Sequence, residues 1–227
     1  MDGYFRHLEQ VLGPDVRLIK FDPPGLEPDA GRRWLTLSDH AAWLAKAIRQ
    51  DVTGPVVIIG HSLGGLVALR LALAEPELVG GLLLLDPSPP IFAAVLPRPL
   101  LKPIALFRKC LTLTRFGPPR SSHATPPAPR AVPLWVRIRW YVVFGGSALA
   151  ADIAGGGLAN LPTIIVSAAE HRAASIVRRT HQRLTDWIPN ATLEVWANTT
   201  HAIHPEQPEK VAESALALLR RAARPPR

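Results

Sequence analysis

Residues 56–65 read Val-Val-Ile-Ile-Gly-His-Ser-Leu-Gly-Gly, a β-branched run that stops at a serine flanked by small residues. The run favours an extended strand, and Leu66 to Ala74 beyond it are good helix formers without proline. A strand must therefore give way to a helix almost at once. With Gly60, Ser62 and Gly64 in the G-x-S-x-G places, Ser62 stands on a sharp, strained bend with its hydroxyl outward, a nucleophile elbow. Glycine two residues to either side is expected because a Cβ there would collide with the adjoining strand or helix. The same five letters could mark an ordinary Gly-rich turn; the strand before and the helix after favour the elbow.

The rest of the chain supplies more strands of the same kind. Candidates are Arg17–Phe21, Val56–Ile59, Leu82–Leu85, Thr163–Ser167 and Leu193–Ala197, several of them continuous apolar runs suited to parallel strands covered on both faces. Helical patterns separate them: one capped by Ser38 or Thr36 and running through Ile48, one over Leu63 to Ala74, one over Ala173 to Leu184, and one over Pro208 to Arg221. Strand and helix alternating in this way predict a doubly wound, mostly parallel α/β sheet. The chain's 227 residues and 48% hydrophobic content are enough for one domain with a full core. That core is expected from residues 1–90 and 160–227.

Residues 91–159 break the alternation. They hold a Pro-rich stretch, Gly117 to Pro133, between helical patches at Leu100 to Thr112 and Leu134 to Phe144, the second with Trp135, Trp140 and Tyr141. An insertion of this kind suits a lid over the carboxyl edge of the sheet, its aromatics lining a pocket or packing the lid onto the body. It also concentrates the charge: Arg98, Lys102, Arg108, Lys109, Arg115, Arg120, Arg130, Arg137 and Arg139 stand against Asp152 alone, which equals the +8 of the whole chain. Such a segment either attracts an anionic or lipid-like substrate or simply keeps a surface soluble. No nucleic-acid motif accompanies the charge, so no nucleic-acid partner is expected. The N-terminus has no apolar signal region, and prolines and Asp86 interrupt the apolar stretch Leu82 to Leu101, so neither a leader nor a membrane span is expected and the cytoplasm is the expected location. The single cysteine, Cys110, excludes an internal disulfide and is expected to be a packed or incidental thiol.

A serine hydroxyl attacks carbonyl carbon only if a base takes its proton and a carboxylate orients that base. His201 directly follows the turn Asn198-Thr199-Thr200 after the last strand; His204, next to Pro205, competes with it. His61 is expected to point away from the base and to pack or shape the pocket, and His7, His40, His123, His171 and His181 to lie on surfaces or helices.

These features together resemble the α/β-hydrolase family, in its lidded esterase- and lipase-like branch. The matching segments are Gly-His-Ser-Leu-Gly-Gly at 60–65, Gly-Leu-Leu-Leu-Leu-Asp-Pro at 81–87, Leu-Pro-Thr-Ile-Ile-Val-Ser at 161–167, and His201 followed by His-Pro-Glu-Gln-Pro-Glu-Lys-Val-Ala at 204–212. Phe21-Asp22-Pro23-Pro24-Gly25 is similar to the family's D-x-P-G turn. The resemblance covers most of the chain from residue 17 onward. It implies the order serine, acid, histidine, with Ser62 and His201 in the outer roles. It leaves two places for the acid: Asp86, at the end of Leu82–Leu85, which is the expected one, or Glu170, after Thr163–Ser167, where the family's Gly-x-x-Asp is missing. It also implies an oxyanion hole with one donor from the N–H of Leu63 and another from a loop after a strand that this chain lacks. That strand would sit between Arg17–Phe21 and Val56–Ile59, so the fold is expected to be shortened at its N-terminal side, unless the two flanking strands pair directly.

Two functions follow. One is a serine hydrolase acting on the ester or thioester of a small acyl substrate, with no cofactor and no metal. The other is a truncated or degenerate hydrolase-like protein that acts by binding, or not at all. The sequence is silent on oligomeric state.

Overall fold

In the computed structural model the described residues are 5–21, 36–88, 147–170 and 174–223. They form helix α1 (Arg6–Leu12), α2 (Leu37–Asp51), strand β1 (Val56–His61), α3 (Leu63–Ala74), a 3₁₀ turn at Pro76–Leu78, β2 (Val79–Leu85), α4 (Ser147–Ala154), β3 (Thr163–Ala168), α5 (Ala174–Trp187), β4 (Ala191–Trp196), α6 (Ile203–Glu206) and α7 (Pro208–Ala222). The four strands form one sheet in the order β1-β2-β3-β4, every pair parallel.

The all-leucine end of β2 shows why the sheet is sandwiched. Leu82 and Leu84 belong to a core with α2, α3, α4 and α5, whereas Leu83 and Leu85 face α1 and α7 on the other side. All four are fully buried. Alternation along a strand sends successive side chains to opposite faces, so a continuous apolar run needs helices on both. Each leucine contributes roughly 1.5–3 kcal/mol of burial free energy. The helices carry their own punctuation. Thr36 caps α2 in a full capping box with Asp39, the hydroxyl accepting from the Asp39 N–H and the carboxylate accepting from the Thr36 N–H. Of the two caps that sequence allows, Ser38 instead lies inside the helix and accepts from Arg70.

The expected strand Arg17–Phe21 does not form. Residues 17–21 have no regular structure, and β1 is the edge of the four-stranded sheet, so the two segments do not pair directly either. A strand exists only where a neighbour takes its backbone hydrogen bonds. This stretch is held by its side chains instead: Val16 and Leu18 pack against the core on the α1 and α7 side of the sheet, and Arg17 reaches the Asp51 carbonyl at 2.8 Å.

Most of the expected lid, along with Cys110, His123, His171 and the Asp22-Pro23-Pro24-Gly25 turn, lies outside the described residues. The last part of that stretch, α4, packs Leu149 and Ile153 into the core, and its Asp152 meets Arg70 of α3 at 3.0 Å. Among the described residues, no helix is long and apolar enough to cross a membrane.

Candidate active site

Because all four strands run parallel, their carboxyl ends share one edge, and the turns leaving β1, β2 and β4 meet there. Ser62 leaves β1 at φ 53°, ψ −117°, a left-handed backbone that a serine adopts at a cost of about 1–3 kcal/mol. The surroundings over-determine that bend. Its N–H extends the ladder to the Leu85 carbonyl at 3.1 Å, while its own carbonyl accepts from Gly65 at 3.1 Å and Ser88 at 2.9 Å. A Cβ on Gly60 would lie 2.8 Å from the Gly64 carbonyl oxygen and the Gly65 Cα, so that glycine is required. The second required glycine is Gly65, not Gly64. A Cβ on Gly64 meets nothing within 4 Å among the described residues, whereas one on Gly65 would sit 2.7 Å from Pro87 Cβ. The first turn of α3 packs on the loop after β2, and Gly65 faces that loop.

Asp86 ends β2, also at positive φ (42°), with its N–H donating to the Val166 carbonyl at 2.8 Å. Its side chain is almost fully buried; Oδ1 accepts from the Ala168 N–H at 3.3 Å and Oδ2 lies 2.6 Å from His201 Nδ1. An ionised carboxylate only accepts, so Nδ1 carries the imidazole proton and Nε2 is left with its lone pair. His201 keeps 29% side-chain exposure. Its loop is braced on both sides: Glu206 accepts from the Thr200 N–H at 2.7 Å and from its hydroxyl at 2.6 Å, and Thr199 accepts from the Glu170 N–H at 2.9 Å.

The structure therefore brings Ser62, Asp86 and His201 to one sheet edge and leaves Glu170 out. Glu170 is exposed, and the contact it makes to the histidine loop is through its backbone. Leu63 opens α3, so its N–H is one of the first-turn donors without a helical acceptor, next to the serine. Ser62 Oγ lies 3.4 Å from the hydroxyl of the buried Ser88, two residues past Asp86.

Imidazoles crowd the floor of the site. His204 is buried, with its ring 5.1 Å from those of His61 and Phe5, and burial first, then the nearby His61 and His201, push it down to about 2. His61 does not simply point away: its ring lies 4.7 Å from that of His201, and Nε2 donates to the His201 carbonyl at 2.6 Å. Burial and the His201 ring push His61 down to about 3, so it is a neutral donor. His181 of α5 is fully buried, and its Nε2 donates to the Pro87 carbonyl at 2.9 Å. Burial lowers His181 as well. Sequence reasoning missed His181, Ser88 and Glu206. For His181 there was a signal: Val177, His181, Leu184 and Ile188 share one helical stripe, which predicts an inward-facing side chain. For Ser88 there was none.

A model of the alpha/beta hydrolase family matches residues 2–214. The chain belongs to that family. Within this alpha/beta hydrolase, segments are similar to two proteins of Mycobacterium tuberculosis. One is the lipase LipV, 45% identical over 53 residues, which are 23% of this chain and 20% of that protein. The other is an esterase, 48% identical over 81 residues, which are 35% of this chain and 27% of that protein. The matches thus span a third or less of these relatives' length. Among solved structures, an esterase from Exiguobacterium antarcticum superposes with a TM-score of 0.68 at 16% identity, covering 96% of this chain and 87% of that one. A bromoperoxidase from Bacillus anthracis gives 0.64 at 14% identity, covering 88% and 80%. These two likenesses establish the fold.

Proposed function

We propose that this alpha/beta hydrolase cleaves a carboxylic ester or thioester through an acyl-enzyme on Ser62. The observation that carries the reading is the 2.6 Å contact between His201 Nδ1 and the buried Asp86, at the sheet edge that presents the strained Ser62. The similarity of its segments to proteins named lipase and esterase supports the same substrate class.

In this mechanism Ser62 Oγ adds to the acyl carbonyl carbon while its proton passes to His201 Nε2. The carbonyl electron pair moves onto oxygen, where the Leu63 N–H stabilises it. Collapse re-forms the carbonyl and breaks the bond to the leaving alcohol or thiol, which takes the proton from Nε2. Water then adds to the acyl-enzyme, gives a proton to Nε2, and releases the acid as the proton returns to Ser62. Asp86 holds the Nδ1–H tautomer throughout and offsets the charge on the imidazolium. No step needs a metal or cofactor.

The test is reaction with a fluorophosphonate probe and hydrolysis of p-nitrophenyl esters. Labelling and turnover that both vanish in Ser62→Ala support the mechanism. A folded protein that neither labels nor hydrolyses refutes it and leaves a hydrolase-like protein that acts by binding.

A further inference from the structure

His181 and His61 are unlike the other residues around them. Each is an imidazole beneath the site, each donates from Nε2 to a backbone carbonyl, and the two carbonyls belong to the two loops that carry Asp86 and His201. His181 binds Pro87, the residue after the acid; His61 binds His201 itself. We propose that this pair of imidazoles positions the Asp86–His201 couple, one clamping each loop; the inference rests on the hydrolase reading only for its effect on rate.

Geometry carries the proposal. Asp86 stands at positive φ, a backbone that relaxes unless its neighbours hold it, and the Pro87 carbonyl is the next peptide along. Pro87 has no N–H, so on that side the turn is fixed through its carbonyl and through the Ser88 N–H bonded to Ser62. His181 thereby ties α5 to the turn that joins acid and nucleophile. On the other loop, Asn198 is also left-handed, and the His201 carbonyl lies between the braced Thr200 and α6. His61, the last residue of β1, ties that carbonyl to the strand that leads into Ser62. Packing does not account for a histidine at 181. Its Nδ1 is buried with no hydrogen-bond partner among the described residues, a cost that leucine or methionine on the same apolar stripe would not carry. Both rings are held neutral by burial, so each has one proton, and the carbonyl acceptors assign it to Nε2.

The experiment uses the full chain with nitrogen-15-labelled histidine. In the unaltered protein the spectrum should show His61 and His181 as Nε2–H tautomers and His201 as an Nδ1–H with the downfield proton of a carboxylate hydrogen bond. Methionine and glutamine at each position then separate shape from donor, since both are unbranched and of similar length but only glutamine keeps an N–H where Nε2 was. His61→Met and His181→Met should each lose the downfield His201 proton to exchange and slow fluorophosphonate labelling by about 10- to 100-fold, the scale of a misplacement near 1 Å. KM should hold while kcat falls, and His61→Gln and His181→Gln should recover both signals.

An Nδ1–H tautomer at either position in the unaltered protein overturns the proposal without any variant. So do folded methionine variants that keep the downfield proton and the labelling rate, or glutamine variants no better than methionine. If the unaltered protein shows the expected tautomers and the variants lose the downfield proton, yet nothing labels Ser62, the hydrolase reading fails and the positioning role stands.

Discussion

Replacing Asp86 with asparagine tests the proposed mechanism at its most informative point, because the buried side chain accepts two hydrogen bonds at once. Oδ1 takes the Ala168 N–H and Oδ2 takes His201 Nδ1–H. A carboxylate can accept both; an amide has one acceptor and one donor end. If the asparagine oxygen turns to His201, its NH₂ faces the Ala168 N–H and two buried donors oppose each other, at a cost of about 1–3 kcal/mol. If the oxygen turns to Ala168, the NH₂ faces Nδ1, the imidazole proton moves to Nε2, and His201 cannot take the Ser62 proton. The second arrangement satisfies both of these contacts and therefore dominates. Loss of the charged hydrogen bond to the imidazolium adds about 1.5–3 kcal/mol. Together these are about 2.5–6 kcal/mol, or roughly a 10²- to 10⁴-fold fall in rate. Glu170→Gln, an exposed change, should stay within about twofold, as surface substitutions do. The assay is the second-order rate of fluorophosphonate labelling with kcat for a p-nitrophenyl ester, beside a thermal melt showing that Asp86→Asn still folds. A folded Asp86→Asn that keeps the original rate while Glu170→Gln loses it would refute the reasoning.

The glycines of the elbow make a second, purely steric test. Gly65→Ala should destabilise by about 1–3 kcal/mol in denaturant melts, because its Cβ meets Pro87 at 2.7 Å, whereas Gly64→Ala should cost nothing and gain up to about 1 kcal/mol of helix propensity. Equal losses at the two positions would contradict the packing described. A third test is acid stability. His61 and His204 are held near 3 and 2 in the folded protein but titrate near 6.5 unfolded, so the unfolded chain binds more protons and stability falls as pH drops below about 6.5. Each imidazole then removes about 2 kcal/mol between pH 7 and pH 5, and the pair about 4 kcal/mol, with the loss continuing toward pH 3. Urea melts at pH 7, 6 and 5 measure it; His204→Leu should remove about 2 kcal/mol of that loss, and a flat profile in the unaltered protein would show that these rings titrate normally.

Local stretches of sequence were enough to place the strands β1 to β4, helix α3 and the bend at Ser62. Propensity, apolar runs and capping residues act over a few neighbours, and the strands and helices of the sheet begin and end within a few residues of where those signals put them. Residues Arg17–Phe21 mark the limit, for their pattern is strand-like but a strand is a relation between two segments, and among the described residues no strand pairs with them. The same limit governs the site. The sequence favoured Asp86 over Glu170 as the partner of His201 but left both open, and only the tertiary structure shows which one meets it. Asp86 lies 115 residues away along the chain yet touches the ring, while Glu170, much nearer in sequence, faces solvent. Gly65 rather than Gly64, the inward turn of His61 and the carbonyl that His181 reaches were settled in the same way. Whether a Cβ has room and which carbonyl a ring reaches depend on the packing of α3 and α5 against the loops of other strands, and no local pattern encodes that packing.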